Sequence, residues 1–348
     1  MTAAVQPLDS LGIWDATFDL PDQIERARSA FGGSDATLPP ADGLTHVVVF
    51  GMGGSGIAGD IAGFVADLAG TVPLHVSKGY ECPAWVGPNT LAIGVSFSGN
   101  TEEVVEVTTD AQQRGAQVIA VAGGGMLAEL AADWGVALLS VETELPMPRV
   151  ATGALSVPVL LALDRMGLVG GVDGQLDATV AQLRRRADSL RGEGGGEVER
   201  LTDLLTGRIP LVYGAGRLGQ IAAGRWKTQV NENADAPAFA NTLPEACHNE
   251  LQGWEQNRTL TREGLAVVEL RHDHEHRQHT PRFEFVGGVI DDAVADRVSV
   301  RAAGDTALAQ LFDLMLYGDV VSLHLAAASG VDPGPIPVLD RLKEYLTD

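Results

Sequence analysis

The chain has 348 residues, enough for two domains of ordinary size at ~150 residues each. Lys plus Arg number 24 against 46 Asp plus Glu, a formal net charge of −22; clustered cations are what bind phosphate backbones and anionic bilayers, so the balance argues against nucleic acid and membrane-surface partners. Glycine is in excess, 42 residues or about 12 % against a usual ~7 %, and with 45 % hydrophobic residues the chain is not disordered, so the glycines belong in turns and ligand loops.

The start, MTAAVQPLDS, lacks the basic stretch and apolar core of a signal peptide. The longest apolar run, 150–163, falls short of the ~20 residues of a spanning helix. Cys82 and Cys247 make neither a disulfide framework nor a cysteine-rich zinc site. A cytoplasmic protein is expected.

In chain order, apolar runs at 47–50, 91–95 and 118–121 lack alternation, as strands buried on both faces do, and 73–77 adds a short strand. Helix-like stretches at 102–114 and 127–134 lie between them, a rhythm that predicts a parallel sheet with covering helices. A half-exposed helix follows at 176–190, its Arg184-Arg185-Arg186 run read as a solvated face, and Gly194-Gly195-Gly196 breaks it from the next. The second half repeats the theme with a strand at 209–213. The expected organisation is an N-terminal helix plus first α/β domain over 1–165, a helical linker over 166–200, and a second α/β domain over 201–348 with a C-terminal helix.

Each half carries a glycine loop after its first strand: Gly51-Met52-Gly53-Gly54-Ser55-Gly56 and Gly214-Ala215-Gly216-Arg217-Leu218-Gly219. Both fit the dinucleotide pattern G-x-G-x-x-G. The acidic residue that would hold the ribose ~20 positions on is missing, and that region reads His75-Val76-Ser77-Lys78, where only Lys78 could serve a 2′-phosphate. A second loop, Ser96-Phe97-Ser98-Gly99-Asn100-Thr101-Glu102-Glu103, joins a strand to a helix start, where free amides attract anions. Ser96, Ser98 and Thr101 are candidate phosphate ligands, with Gly54 and Ser55 closing the cup. Helix capping by Asn100 with Glu103 explains the same residues and is compatible with it.

FGMGGSGIAGD followed by SFSGNTEE resembles the sugar isomerase (SIS) domain, which binds phosphosugars. The second half is more specific: 225–234, RWKTQVNENA, and 244–254, PEACHNELQGW, together resemble the bifunctional phosphoglucose/phosphomannose isomerases. The likeness runs from the helix at Pro21-Asp22-Gln23-Ile24 to 336–343. It implies an α/β protein of two SIS domains, each a doubly wound, mainly parallel sheet flanked by helices, and aldose–ketose conversion of hexose 6-phosphates through an enediolate without a cofactor.

The resemblance also implies site residues. Glu232 matches the family's base, and on a helix it shares a face with Arg225 and Gln229, while Ala222, Trp226 and Val230 supply burial. His248 matches the ring-opening histidine; Thr242-Leu243-Pro244-Glu245 reads as a capping box that would place it within a helix, against the alternative of a histidine satisfied in the core. In this superfamily that histidine often comes from a neighbouring subunit, which implies a homodimer with composite active sites. Arg149 matches an arginine near the developing enediolate, and Lys343 a lysine that assists ring opening, against a snorkelling lysine on an amphipathic helix. A dianionic substrate needs a basic pocket inside the acidic shell, expected around Arg149, Arg225 and Lys343. The run from Arg271 to His279, with histidines at 272, 274, 276 and 279, is read as a variable surface connection without a functional metal. The rival readings are a non-catalytic phosphosugar-binding regulator and a dinucleotide oxidoreductase.

Overall fold

The computed structural model describes residues 8–191 and 196–347. It divides into two compact units: one is Asp19–Ala181, and the other joins α1 (Ile13–Phe18) to the described chain from Gln182 onward.

The unit 19–181 opens with α2 (Leu20–Gly32) and then follows the predicted rhythm: β1 (His46–Phe50), α3 (Gly53–Ala69), β2 (Leu74–Ser77), β3 (Thr90–Ser96), α4 (Glu102–Gln113), β4 (Gln117–Ala122), α5 (Gly125–Trp134), β5 (Ala137–Ser140) and α6 (Thr152–Arg165). The strands are parallel, in the order β2-β1-β3-β4-β5, with Val48 of β1 opposite His75 and Ala92. Every residue of β3 is buried, which is why the sequence shows an unbroken apolar run instead of alternation. The strand order reverses between β1 and β3, so the loops leaving their C-terminal ends flank the crevice in which open α/β sheets bind ligands. Those loops are the glycine and serine loops.

The unit boundary falls inside α7 (Val172–Arg191). Beyond it come α8 (Gly196–Leu205), β6 (Ile209–Ala215), α9 (Gly216–Asn233), β7 (Phe239–Leu243), α10 (Ala246–Asn249), α11 (Arg258–Gly264), β8 (Leu265–Arg271), α12 (His279–Ile290), β9 (Asp296–Arg301), α13 (Ala307–Ser329) and α14 (Pro337–Thr347). The sheet order is β7-β6-β8-β9, again parallel. It repeats β2-β1-β3-β4, so the two halves share one topology.

Several expectations change. Residues 8–18 belong with the C-terminal unit instead of the first domain: Ile13 is buried there, Trp14 packs edge-on against His324 at 5.1 Å, and Arg191 lies over the Phe18 ring at 4.3 Å. The arginine run is not a solvated face throughout, because Arg186 makes paired hydrogen bonds of 2.8 and 2.6 Å to the buried carboxylate of Asp313. Gly194 and Gly195 of the predicted helix break lie outside the described residues; Gly196 opens α8.

The sequence reading missed α13, the central helix of its unit. It is long and apolar enough to cross a bilayer, but 83 % of its most apolar window is buried inside the molecule, so its hydropathy is that of a core helix. It packs on α9. Trp226 donates from Nε1 to the Leu314 carbonyl at 2.7 Å and stacks on Tyr317. A Cβ at Gly318 would stand 2.3 Å from that indole nitrogen, so only glycine permits the approach. At the neighbouring position of each helix, Arg225 forms a two-pronged pair with Asp319 at 3.0 and 2.8 Å, both side chains almost fully buried. Burial pushes the Asp319 carboxyl upward while Arg225 pulls it back. Truncating one partner strands a charge in the core, so Asp319→Ala should destabilise by ~3–5 kcal/mol in urea unfolding, whereas replacing both partners by apolar residues should recover most of that loss.

Candidate functional site

The first half of the site is built by two loops that hold each other. β1 runs into Gly51, and α3 starts at Gly53, whose φ of +48° suits glycine. Ser55, buried in the first turn, accepts at Oγ from the Phe97 amide at 3.0 Å, which ties the glycine loop to the serine loop; its hydroxyl hydrogen takes no part in that bond. Gly54 serves closeness: a Cβ there would lie 2.7 Å from the Pro148 carbonyl. The 3₁₀ turn Pro148–Val150 can therefore rest on the start of α3, with Arg149 buried in it, and Gln23 fastens the turn through a 2.9 Å bond to the Val150 carbonyl.

Ser96 faces inward. Its Oγ accepts from the amides of Gly99 (3.0 Å) and Thr101 (3.4 Å) and shares a hydrogen with Thr101 Oγ1 at 2.8 Å. One hydroxyl has one hydrogen and two lone pairs, so its capacity is used within the loop. Ser98 is exposed and accepts from the Asn100 amide at 3.2 Å. Asn100 does not cap α4, as the capping-box expectation had it. Thr101 holds the N-cap position without a side-chain cap bond, and Asn100 Oδ1 instead accepts from the Met126 amide at 3.0 Å, at the start of α5. Gly99 has φ +73°, and a Cβ on it would fall 1.7 Å from the Gly124 carbonyl oxygen. The Ser-Gly-Asn segment is thus locked on the 123–127 turn, a contact 24 or more residues away that local spacing does not reveal. Lys78, the possible 2′-phosphate reader, bonds Asp60 of α3 at 2.5 Å.

Glu232, His248 and Lys343 all belong to the other unit. Glu232 is partly buried, in the last turn of α9 and next to its final residue. Arg225 and Gln229 share its helix but are buried in the core against α13, so Arg225 is already neutralised by Asp319 and is not part of a basic pocket. Thr242 lies in β7 instead of a capping box, and the chain reaches α10 only after Pro244. His248 stands exposed on α10, so it is not a core histidine. Lys343 is exposed on α14, 3.6 Å from Asp340. Asp319 was missed by sequence reasoning; its one available signal is a carboxylate inside an apolar helix, which must have a partner when buried.

The histidine run also differs from expectation. His272 and His279 are buried, and His272 Nε2 donates to the Ala215 carbonyl in the second glycine loop at 2.9 Å. Arg271 pairs with Glu275 through two 2.8 Å bonds. Burial holds the His272 imidazole below its ordinary pKa. A histidine whose folded pKa is lowered stabilises above its unfolded value and loses that contribution as pH falls toward the folded one. His272→Asn should therefore flatten the loss of urea stability on acidification below pH ~6.5.

Within the loop pair, Ser96→Ala should be more damaging than Ser98→Ala. The first strands two amides and should lower thermal stability as well as phosphate affinity; the second should weaken phosphate binding alone by about tenfold, about 1.4 kcal/mol, in calorimetric titration.

Comparison with known proteins agrees with this architecture. The model of the SIS domain matches residues 44–152, and that of the bacterial phospho-glucose isomerase C-terminal SIS domain matches residues 196–346. The bifunctional phosphoglucose/phosphomannose isomerase of Caldicellulosiruptor bescii is 34 % identical over 97 % of this chain and 99 % of its own length. The enzyme of that name from Aquifex aeolicus is 31 % identical over 86 % of this chain and 90 % of its own. Among solved structures, the C-terminal domain of glucosamine-fructose-6-phosphate aminotransferase from Francisella tularensis superposes with a TM-score of 0.68 at 14 % identity, covering 94 % of this chain and 98 % of that one, a likeness of fold. Two tandem parallel sheets, the loop pair at the first switch point and near end-to-end similarity lead to one assignment: the chain belongs to the bifunctional phosphoglucose/phosphomannose isomerase family.

Proposed function

We propose that the protein is a phosphosugar isomerase that interconverts fructose 6-phosphate with glucose 6-phosphate, mannose 6-phosphate or both. The observation that carries this reading is the 34 % identity, over 97 % of the chain, to a relative named for that pair of activities. The loop pair supports it with chemistry. The sugar phosphate sits at the starts of α3 and α4, where helix amides favour an anion, with Gly54, Ser55, Ser98 and Thr101 as donors and Ser96 holding the loop in shape.

The remaining steps are proton transfers. His248 and Lys343 open the ring, one proton leaving the anomeric hydroxyl as another reaches the ring oxygen while the bond between that oxygen and the anomeric carbon breaks. Glu232 takes the proton from C1 of the ketose and returns it to C2, while the hydroxyl proton on O1 passes to O2, giving the aldose. Arg149 stabilises the negative charge of the enediolate between these transfers. The chemistry calls on no redox cofactor. The protein acts as a cytoplasmic homodimer, His248 of one subunit completing the site of the other.

The test is a coupled assay of purified protein with fructose 6-phosphate after chelator treatment. Glucose or mannose 6-phosphate should form, and Glu232→Gln should lower kcat by ~10³-fold with KM little changed, as loss of a general base does. No product above the Glu232→Gln background would overturn the proposal, and tight phosphosugar binding without turnover would make the protein a regulator.

A further inference from the structure

The segment that carries His248 has little to hold it. α10 has only four residues, it lies between the end of β7 and a short 3₁₀ turn over Leu251–Glu255, and His248, Asn249 and Glu245 are exposed. Two residues beyond His248, however, the Glu250 carboxylate reaches back to the sheet. One of its oxygens accepts from the phenol of Tyr213 on β6, and the other accepts from Asn241 Nδ2 on β7 at 2.5 Å. Tyr213 is fully buried; burial, and then the bond to Glu250, push its pKa upward, so it stays a donor. Asn241 is itself oriented, because its Oδ1 accepts from the Thr242 amide at 2.8 Å. The carboxylate thus bridges two adjacent strands, and the short helix hangs from it. On the far side Trp254 is buried in the cluster that includes Tyr213, Leu243 and Ala246, which anchors the other end of the segment.

We propose that Glu250 is a positioning residue: its bridge between Tyr213 and Asn241 fixes the 244–254 segment and thereby sets where His248 meets the substrate. The proposal rests on the reading of His248 as the ring-opening group. Both oxygens of Glu250 accept hydrogen bonds from side chains of the sheet, so the residue acts through His248 and through backbone placement. Displacing a catalytic group by ~1 Å is enough to lower a rate by ~100-fold. Glu250→Ala removes the bridge. Glu250→Gln keeps its shape, and the Tyr213 hydroxyl can turn to accept from the new amide, so Gln should rescue most of the loss.

The experiment is a double-mutant cycle in the full chain, assayed with fructose 6-phosphate: His248→Asn, Glu250→Ala, Glu250→Gln, and His248→Asn combined with Glu250→Ala. Glu250→Ala should lower kcat at least about tenfold with KM within about twofold, Glu250→Gln should recover most of it, and the double variant should be no slower than His248→Asn alone. Equal losses from Glu250→Ala in the presence and absence of His248, or an unimpaired Glu250→Ala, would overturn the positioning role. An unimpaired His248→Asn would overturn the reading of His248 itself, and this proposal with it. If Glu250→Ala does not fold, Asn241→Ala takes its place in the cycle; it removes one donor, keeps the charge, and should show the same dependence on His248.

Discussion

The site depends on one hydrogen bond between loops. Ser55 at the start of α3 accepts from Phe97 just past β3, so the two segments leaving the switch point of the sheet become a single surface. Everything else around the cup secures that junction. Gly54 makes room for the Pro148 turn, Ser96 closes the serine loop on itself, and Asn100 pins it to the start of α5. Hydroxyls and helix amides are well suited to a phosphate because they donate without adding charge, which leaves the anion exchangeable.

The second half repeats the strand order but not the chemistry. Where β3 delivers Ser96 and its hydroxyl-rich loop, β8 delivers Arg271 and His272; in the second half the His272 imidazole donates to the glycine-loop backbone, whereas in the first half the glycine loop's own Ser55 hydroxyl accepts from the other loop. Duplicated topology thus supplies two switch points, and side chains alone make them different. The C-terminal unit instead carries Glu232, His248 and Lys343, the residues proposed for proton transfer.

Charge is organised locally. Several arginines that composition counts as free cations carry their own carboxylates: Arg186 with Asp313, Arg225 with Asp319, Arg271 with Glu275, and Arg297 with Asp291 and Glu269. In the buried pairs the charge is consumed inside the fold, where each partner offsets the other's desolvation, and Arg297 is paired at the surface with Asp291 as well. The net charge of −22 therefore says little about which cations remain for a substrate, and Arg225 is the case in which spacing on a helix misled.

Sequence alone determined the sheet strands buried on both faces, because their residues must be apolar throughout, and the glycine and serine loops, because a tight strand-to-helix turn calls for glycine and small hydroxylic residues. It also marked Glu232 and His248, whose neighbours resemble a family motif. It missed β7 and β9, whose residues are partly exposed and carry no apolar run, and it took Thr242 for a helix cap because a strand end followed by proline spells the same letters. Only the tertiary structure decided that Asn100 caps a different helix, that Arg225 is spent on Asp319, that residues 8–18 pack with the C-terminal unit, and that Glu250 spans two strands. Each of these rests on a partner distant in the chain or on a neighbouring strand, and a partner's position is fixed by packing, which local spacing does not encode.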